Sequence, residues 1–376
     1  MTTYAGQDAD MPADLPQARD LRLAMAEALD AAGKLPAAWR GAVEAVPRHL
    51  LVPRYYEQDA AGRWQPRTVR SPGYLADVYA DRVLTTQLDG NVPTSSSTQP
   101  ALMLAMLDAL EVADGHTVLE IGTGTGYNAA LLAHRLGSAK VTTVDVDPKL
   151  TRAAAARLAA AGYRPVVRTG DGARGIRDRA PYDRAIATCE LRRVPWPWIE
   201  QAADSAVLVV PIGAGLARLR VRGGQVSGRF LSAGAHFMPR RTAARPAPPR
   251  FASLRTTVPT RTSVAVAEVL DRLRFPVSLA LSGYGSCVWS GEGGGVQALG
   301  LWTPDGSVAT AHTDGTVRQG GPRRLWDAVE EISELFPHGA VPAREDFGLT
   351  LSPDRQRAWF QRPDGPGWEL AGAHAR

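Results

Sequence analysis

The sequence predicts an α/β protein: a parallel sheet wound on both faces, with N-terminal helices before it and an α+β unit after it. Three observations carry that prediction. Between about residues 95 and 240, strand-like and helix-like stretches alternate, which calls for crossover connections and a parallel sheet covered on both sides. Before residue 95 the patterns are helical or irregular. Beyond residue 250 the alternation gives way to hairpin signals such as WTPDGSVATAHTDGTV at 302–317.

Taken in order, residues 1–18 are polar and acidic and are expected to be disordered. Residues 19–33 read as an amphipathic helix ended by Gly33. Residues 37–46 form a second, with Trp39, Val43 and Val46 on one face before Pro47 interrupts. Residues 57–94 are expected to be irregular, with an extended YLADVYADRVLTTQ, and the whole of 19–94 is expected to cap a substrate. QPALMLAMLDALEV (99–112) is a helix, HTVLEIG (116–122) a strand, YNAALLAHRLG (127–137) a helix and KVTTVDVD (140–147) a strand. PKLTRAAAARLAAAG (148–162) is a helix with proline in its first turn. PVVRTGDG, YDRAIATC and SAVLVVPIG complete the strands. Residues 241–250, rich in Pro and Arg, read as a semi-rigid linker. Beyond it, at 251–376, come a helix over 262–275, the hairpins, a helix over 322–336 and a last hairpin over 347–365.

Composition bounds the function. With 376 residues, 44% of them hydrophobic, the chain can build two or three cored domains. A net charge of +5, spread along the chain, is too small to argue for nucleic acid. Cys189 and Cys287 are too far apart in sequence for a metal motif and too few for a disulfide framework. The histidines lack ligand spacing, so no metal is expected. The N-terminus lacks a signal-peptide pattern and the longest apolar stretch, AVLVVPIGAGLA, is too short to span a bilayer. A soluble cytoplasmic protein without a membrane partner is the expectation.

EIGTGTGYNAA places Gly122, Gly124 and Gly126 after a strand and before a helix. Small residues there let the backbone approach a ligand and leave amides free at the helix start. Asp145 ends the next strand nineteen positions after Gly126, near the spacing of about 20 at which an acid takes ribose hydroxyls. Two details favour S-adenosyl-L-methionine over a dinucleotide. The third glycine comes one position early for GxGxxG, and the turn opens with Glu120, a poor neighbour for a pyrophosphate but a tolerable one for an amino group and a sulfonium. Asp171 and Gly172, at the end of a third strand, are placed to bond an adenine amino group. The candidate cofactor residues are Ser96, Thr98, Gln99, Glu120, Gly122, Thr123, Gly124, Gly126, Tyr127, Asp145, Val146, Asp171 and Gly172.

VPRHLLVP (46–53), YADR (79–82), TQPALMLAML (98–107), VLEIGTGTGYNAALLAHRLG (118–137), GDG (170–172) and PYDRAIAT (181–188) occur in that order. Together, over roughly residues 38–240, they resemble the protein-L-isoaspartate O-methyltransferase family of S-adenosyl-L-methionine-dependent enzymes. The resemblance implies a Rossmann-like methyltransferase sheet and methylation of an aspartyl-type carboxylate, with S-adenosylhomocysteine as co-product and an ester that collapses to a succinimide. It places Thr98 at the family's serine position, with Ser95, Ser96 and Ser97 before it, and Asp81 at a matching position in YADR. Thr98, Ser97 and Asp81 are therefore the candidate catalytic residues. Ser97 or Thr98 could equally cap the helix that follows, and Asp81 could be structural.

The chain departs from the family in a longer 82–99 segment and in the added C-terminal region. That region resembles the tails of methyltransferases that accompany ATP-grasp ligases in graspetide pathways, with similar enzymes in lanthipeptide systems. This implies a dedicated, already cyclised precursor peptide as substrate, an aspartimide or isoaspartate as product, and a functional link to such a ligase or synthetase. General isoaspartate repair and a binding module without turnover are the alternatives. Trp302, Trp326, Trp359 and Trp368 could form a peptide groove or fill a small core.

Overall fold

The computed structural model describes residues 15–240, 251–291, 293–336 and 341–370. Within them lie two compact units, one drawn from residues 1–189, 195–209 and 220–224 and the other from 190–194, 210–219 and 225–376. The second unit thus takes in segments well before the 241–250 stretch, which itself lies outside the described residues.

In the first unit, α1 (Pro16–Ala31) opens on a proline and is followed by Gly33 at φ 67°. Pro16, Gln17 and Ala18, expected in a disordered start, are helical because Ala18 and Arg22 already bury there; residues 1–14 lie outside the described residues. Helix α2 (Ala37–Ala45) buries Trp39, Ala42 and Val43. After Pro47 comes the single turn α3 (Arg48–Leu51), all four of whose residues are buried.

The expectation of an irregular 57–94 is corrected. Strands β1 (Arg54–Gln58), β2 (Trp64–Thr68), β3 (Leu84–Asp89) and β4 (Val92–Ser97) form an antiparallel sheet in the order β2-β1-β3-β4, with helix α4 (Tyr74–Val78) inserted. Few of its residues are fully buried and many are Thr, Ser or Gln, so no apolar alternation marks the strands. Backbone pairing to residues distant in sequence fixes them instead.

The parallel sheet follows the alternation closely. Helix α5 (Pro100–Ala109) leads to β5 (Val118–Ile121), α6 (Tyr127–Leu136), β6 (Val141–Asp145), α7 (Pro148–Ala160), β7 (Val166–Thr169), β8 (Tyr182–Ala187), α8 (Trp196–Glu200) and β9 (Ala202–Ile212). The strand order within this unit is β9-β8-β5-β6-β7, all parallel. Every residue of β5 and β6 is buried, the mark of strands covered on both faces. The carboxyl ends of β5, β6 and β7, where ligands sit in such sheets, carry Gly122, Asp145 and Asp171.

The second unit contains β10 (Gly215–Arg222, its last residues counted with the first unit), β11 (Gln225–Gly234), β12 (Thr260–Arg261), α9 (Val266–Leu270), α10 (Arg274–Ala280), β13 (Gly285–Ser290), β14 (Val296–Trp302), β15 (Val308–His312), β16 (Thr316–Gly320), α11 (Leu325–Leu335), β17 (Phe347–Leu351), β18 (Gln356–Phe360) and β19 (Gly367–Glu369). Its strands run β19-β18-β17-β11-β10 and β12-β16-β15-β14-β13. The single helix expected over 262–275 is two short ones, broken where Asp271 leaves helical geometry at ψ −95°. Phe275, Phe336, Phe347 and Phe360 pack ring against ring. Trp326 and Trp359 are buried and bond Thr262 and Thr350, so these two fill the core rather than line a groove. Trp302 and Trp368 are half-buried. No helix among the described residues is long and apolar enough to cross a membrane.

Candidate functional site

The loop between β5 and α6 is built on positive backbone angles: φ is 103° at Gly122, 50° at Gly124 and 89° at Gly126. A side chain is strained at each. Gly122 is gripped from both sides. Its amide donates to Val144 O at 2.8 Å, and its carbonyl accepts from the Thr188 hydroxyl at 2.8 Å. A Cβ at Gly122 would collide with that hydroxyl, and one at Gly126 would lie 3.1 Å from Leu158. Gly172 is equally confined, since a Cβ there would lie 2.6 Å from Ile121.

Asp145 closes the loop onto the next strand. One carboxylate oxygen accepts from the Gly124 amide and the other from the Asp147 amide, both at 3.1 Å. Val146 beside it is 45% exposed, an apolar face at a strand end. Asp171 is exposed and accepts from Ala173 N at 3.0 Å, ordering the short turn that carries Gly172. Gln87 of β3 donates to Asp147 at 2.8 Å, which ties the antiparallel sheet to this end of the parallel one.

Glu120 is placed differently from the sequence expectation. It is fully buried, accepting from Asn128 at 2.7 Å and from Thr143 at 2.6 Å, while Thr143 also bonds Thr123 at 2.7 Å. The carboxyl braces the floor of the glycine loop instead of facing a ligand, because its strand position points it at the first turn of α6. Burial pushes it up to about 7, with the bonds from Thr143 and Asn128 pulling the other way and Asp145 adding to the rise. A folded carboxyl that titrates above its unfolded counterpart binds more protons in the native state. Its contribution to stability is therefore fully present at acid pH and is lost as pH rises through about 7. Glu120 alone is expected to withdraw roughly 3 kcal/mol of stability between about pH 4.5 and 7. Glu120→Gln should flatten that dependence in denaturant melts; an unchanged slope would show that the group titrates elsewhere.

On the other side of the loop lies the end of β4. A Cβ on Gly124 would sit 3.7 Å from Ser95 Oγ and 3.8 Å from Ser96 O, so the serine run passes directly over the glycines. Ser97 is buried and accepts from Arg48 at 3.2 Å; Thr98 accepts from the same guanidinium through its backbone carbonyl, also at 3.2 Å. The Thr98 side chain is half-buried, and among the described residues its hydroxyl has no hydrogen bond. Neither residue caps α5. Asp81 does, accepting from Ala101 N at 2.8 Å and from the Gln99 amide at 3.0 Å. Asp81, expected as catalytic, is thereby a structural cap whose two oxygens are engaged, and Gln99 is turned toward it. Tyr127 starts α6 and is buried beneath the Arg48 guanidinium, 5.3 Å from the ring centroid.

The structure therefore gathers Ser96, Gly122, Thr123, Gly124, Gly126, Asp145 and Val146 around one loop and strand end, with Thr98 two residues further along the chain from Ser96. Sequence reasoning passed over Arg48, Asn128, Thr143, Gln87 and Thr188. Only Arg48 left a signal: a cation inside the apolar run VPRHLLVP. Among the described residues no group of three or more His, Cys, Asp or Glu side chains could hold a metal ion.

Residues 63–228 match the family model described as protein-L-isoaspartate(D-aspartate) O-methyltransferase (PCMT). A protein-L-isoaspartate O-methyltransferase of Gloeobacter violaceus is 38% identical over 173 residues, 46% of this chain and 72% of the relative. One from Methanococcoides burtonii is 35% identical over 174 residues, 46% of this chain and 74% of its own. A solved structure named protein-L-isoaspartate O-methyltransferase matches with a TM-score of 0.54 at 20% identity, covering 91% of this chain and 100% of that one. That last likeness is one of fold, and it extends well beyond the parallel sheet.

Proposed function

Because this chain belongs to the protein-L-isoaspartate O-methyltransferase family, we propose that it methylates the carboxylate of an isoaspartyl residue in a protein or peptide, with S-adenosyl-L-methionine as donor. The observation that carries the reading is the passage of Ser95 and Ser96, the start of the 95–98 hydroxyl run, over a glycine loop closed by Asp145.

When bound, S-adenosyl-L-methionine supplies an electrophilic methyl group on a sulfonium. The chain's residues bind and align. Asp145, at the strand end beside the glycine loop, would accept from the ribose hydroxyls. Val146 offers an apolar face to the adenine, and the Asp171–Gly172 turn meets its edge. The acceptor carboxylate is already ionised at neutral pH, so no general base is needed. With the donor bound, the site would hold one carboxylate oxygen in line with the methyl, which would pass to oxygen as the carbon–sulfur electron pair stayed on the departing S-adenosylhomocysteine. The Thr98 hydroxyl donates to the carboxylate and holds it in line.

The test is direct: incubate the protein with S-adenosyl-L-methionine and an isoaspartyl peptide, then measure methyl ester and S-adenosylhomocysteine. Absence of both would leave a binding module without turnover. Thr98→Val, which keeps the shape and removes the hydroxyl, is expected to lower kcat/KM about 10- to 100-fold, the value of a hydrogen bond to a charged group. Thr98→Ser should stay within about threefold on the same grounds, and neither should change affinity for S-adenosylhomocysteine. Equal activity of Thr98→Val and wild type would remove Thr98 from the acceptor site.

A second reading narrows the acceptor to one dedicated, already cyclised peptide, working beside an ATP-grasp ligase or lanthipeptide synthetase and ending in an aspartimide. The β3–β4 hairpin favours it, since it builds the 82–99 stretch beside the acceptor side. The C-terminal unit no longer does, because a solved structure named only for the general activity spans nearly the same length. Turnover of a plain isoaspartyl peptide at least as good as that of a cyclised aspartyl peptide would exclude this narrower reading.

A further inference from the structure

We propose that Arg48 is the positioning residue of the acceptor site, fixing the backbone that carries the Thr98 hydroxyl; the proposal rests on the acceptor role given to Thr98 above. Arg48 is fully buried. Its Nη1 donates to Val78 O at 2.7 Å and Ala80 O at 3.2 Å. Its Nη2 reaches Arg82 O at 3.3 Å, Ser97 Oγ at 3.2 Å and Thr98 O at 3.2 Å. None of these partners is a carboxylate. A buried guanidinium held by carbonyls and one hydroxyl, with Asp81 near enough to attract it but not bonded to it, is a poor device for stability, since its desolvation outweighs that attraction and an apolar side chain would pack more cheaply. Its value lies in geometry.

The five acceptors come from two segments, 78–82 and 97–98, that are distant in sequence. Thr98 is fixed on both sides by this arrangement. Arg48 holds the backbone at 97–98, and Asp81 holds 99–101 through Gln99 and the Ala101 amide. Asp81 in turn stands between Ala80 and Arg82, whose carbonyls the same guanidinium clamps. The cation also lies over Tyr127, the residue that follows Gly126. One planar fork thus joins the acceptor strand to the start of the cofactor helix. A lysine ammonium, a point charge with three donors, cannot span those directions.

The experiment is a double-mutant cycle of Arg48→Lys and Thr98→Val, read as kcat on an isoaspartyl peptide and as calorimetric affinity for S-adenosylhomocysteine. Arg48→Lys is expected to lower kcat by about tenfold or more through misplacement of the hydroxyl, with cofactor affinity kept within about threefold. The double variant should be no slower than Thr98→Val alone, because Arg48 acts through the hydroxyl already removed. Losses that multiply, or a loss of cofactor affinity as large as the loss of kcat, would overturn the proposal. Ser97→Ala, which deletes one acceptor of the fork, serves if Arg48→Lys does not fold; it too should be non-additive with Thr98→Val, and additivity overturns the idea. Amide hydrogen exchange needs no turnover: Arg48→Lys or Ser97→Ala should speed exchange at 78–82 and 97–101 selectively, and unchanged exchange there counts against Arg48. If wild type methylates nothing, the family-derived acceptor falls, and the exchange experiment still decides the positioning role.

Discussion

Asp145→Ala is expected to weaken binding of S-adenosylhomocysteine by about two orders of magnitude while leaving the protein folded. The carboxylate sits at the end of β6, 8% exposed, with its oxygens divided between the Gly124 and Asp147 amides. In the proposed reading the ribose hydroxyls donate to this carboxylate. Hydrogen bonds to a charged group contribute roughly 1.5–3 kcal/mol each, and losing two of them gives about 3 kcal/mol or more, close to a hundredfold in affinity. The loop loses an anchor as well, because the Gly124 amide no longer has its acceptor. Asp145→Asn should fall between, keeping the shape and one acceptor oxygen but no charge. Calorimetric titration of the three proteins decides the matter. Affinities within about threefold of one another, below the value of a single such bond, would mean that the nucleoside does not lie on Asp145.

Gly122→Ala is expected to cost about 3 kcal/mol of stability and most of the cofactor binding. Two terms contribute. An L-residue at φ 103° is strained by about 1–2 kcal/mol. The added Cβ also meets the Thr188 hydroxyl, which cannot rotate away without giving up its bond to Gly122 O, and overpacking of this kind costs about 1–3 kcal/mol. A melting temperature lowered by about 4–7 °C would be in line with such a loss. Thr188→Ala in the same chain removes the obstructing oxygen but not the backbone strain, so it should restore roughly half of the lost stability. Full restoration would place the whole effect in the side-chain collision, and no restoration would place it in the backbone.

These two residues were legible in the sequence for different reasons. A loop that needs positive φ at three alternate positions must use glycine, so 122, 124 and 126 announce themselves. Asp145 ends a strand that is buried on both faces, and such strands appear as unbroken apolar or β-branched runs. Thr98 was reached only through the family resemblance, and the structure leaves its hydroxyl unengaged while turning Ser97 to Arg48. Glu120, expected to bind the cofactor, faces inward, and Asp81, expected to be catalytic, is half-buried beside Lys34. One braces the glycine loop and the other caps α5.

By itself the sequence determined the alternating sheet, the order of its helices and the glycine loop, because each leaves a local record in periodicity or in a residue that only one backbone angle allows. Tertiary structure alone decided the antiparallel sheet of residues 54–97, the inward turn of Glu120, the capping of α5 by Asp81, and the five-fold grip of Arg48. Those features depend on backbone groups whose partners lie far away along the chain, from Val78 to Thr98 in the case of Arg48. A carbonyl is the same in every residue, so no local pattern marks which ones a buried guanidinium will find.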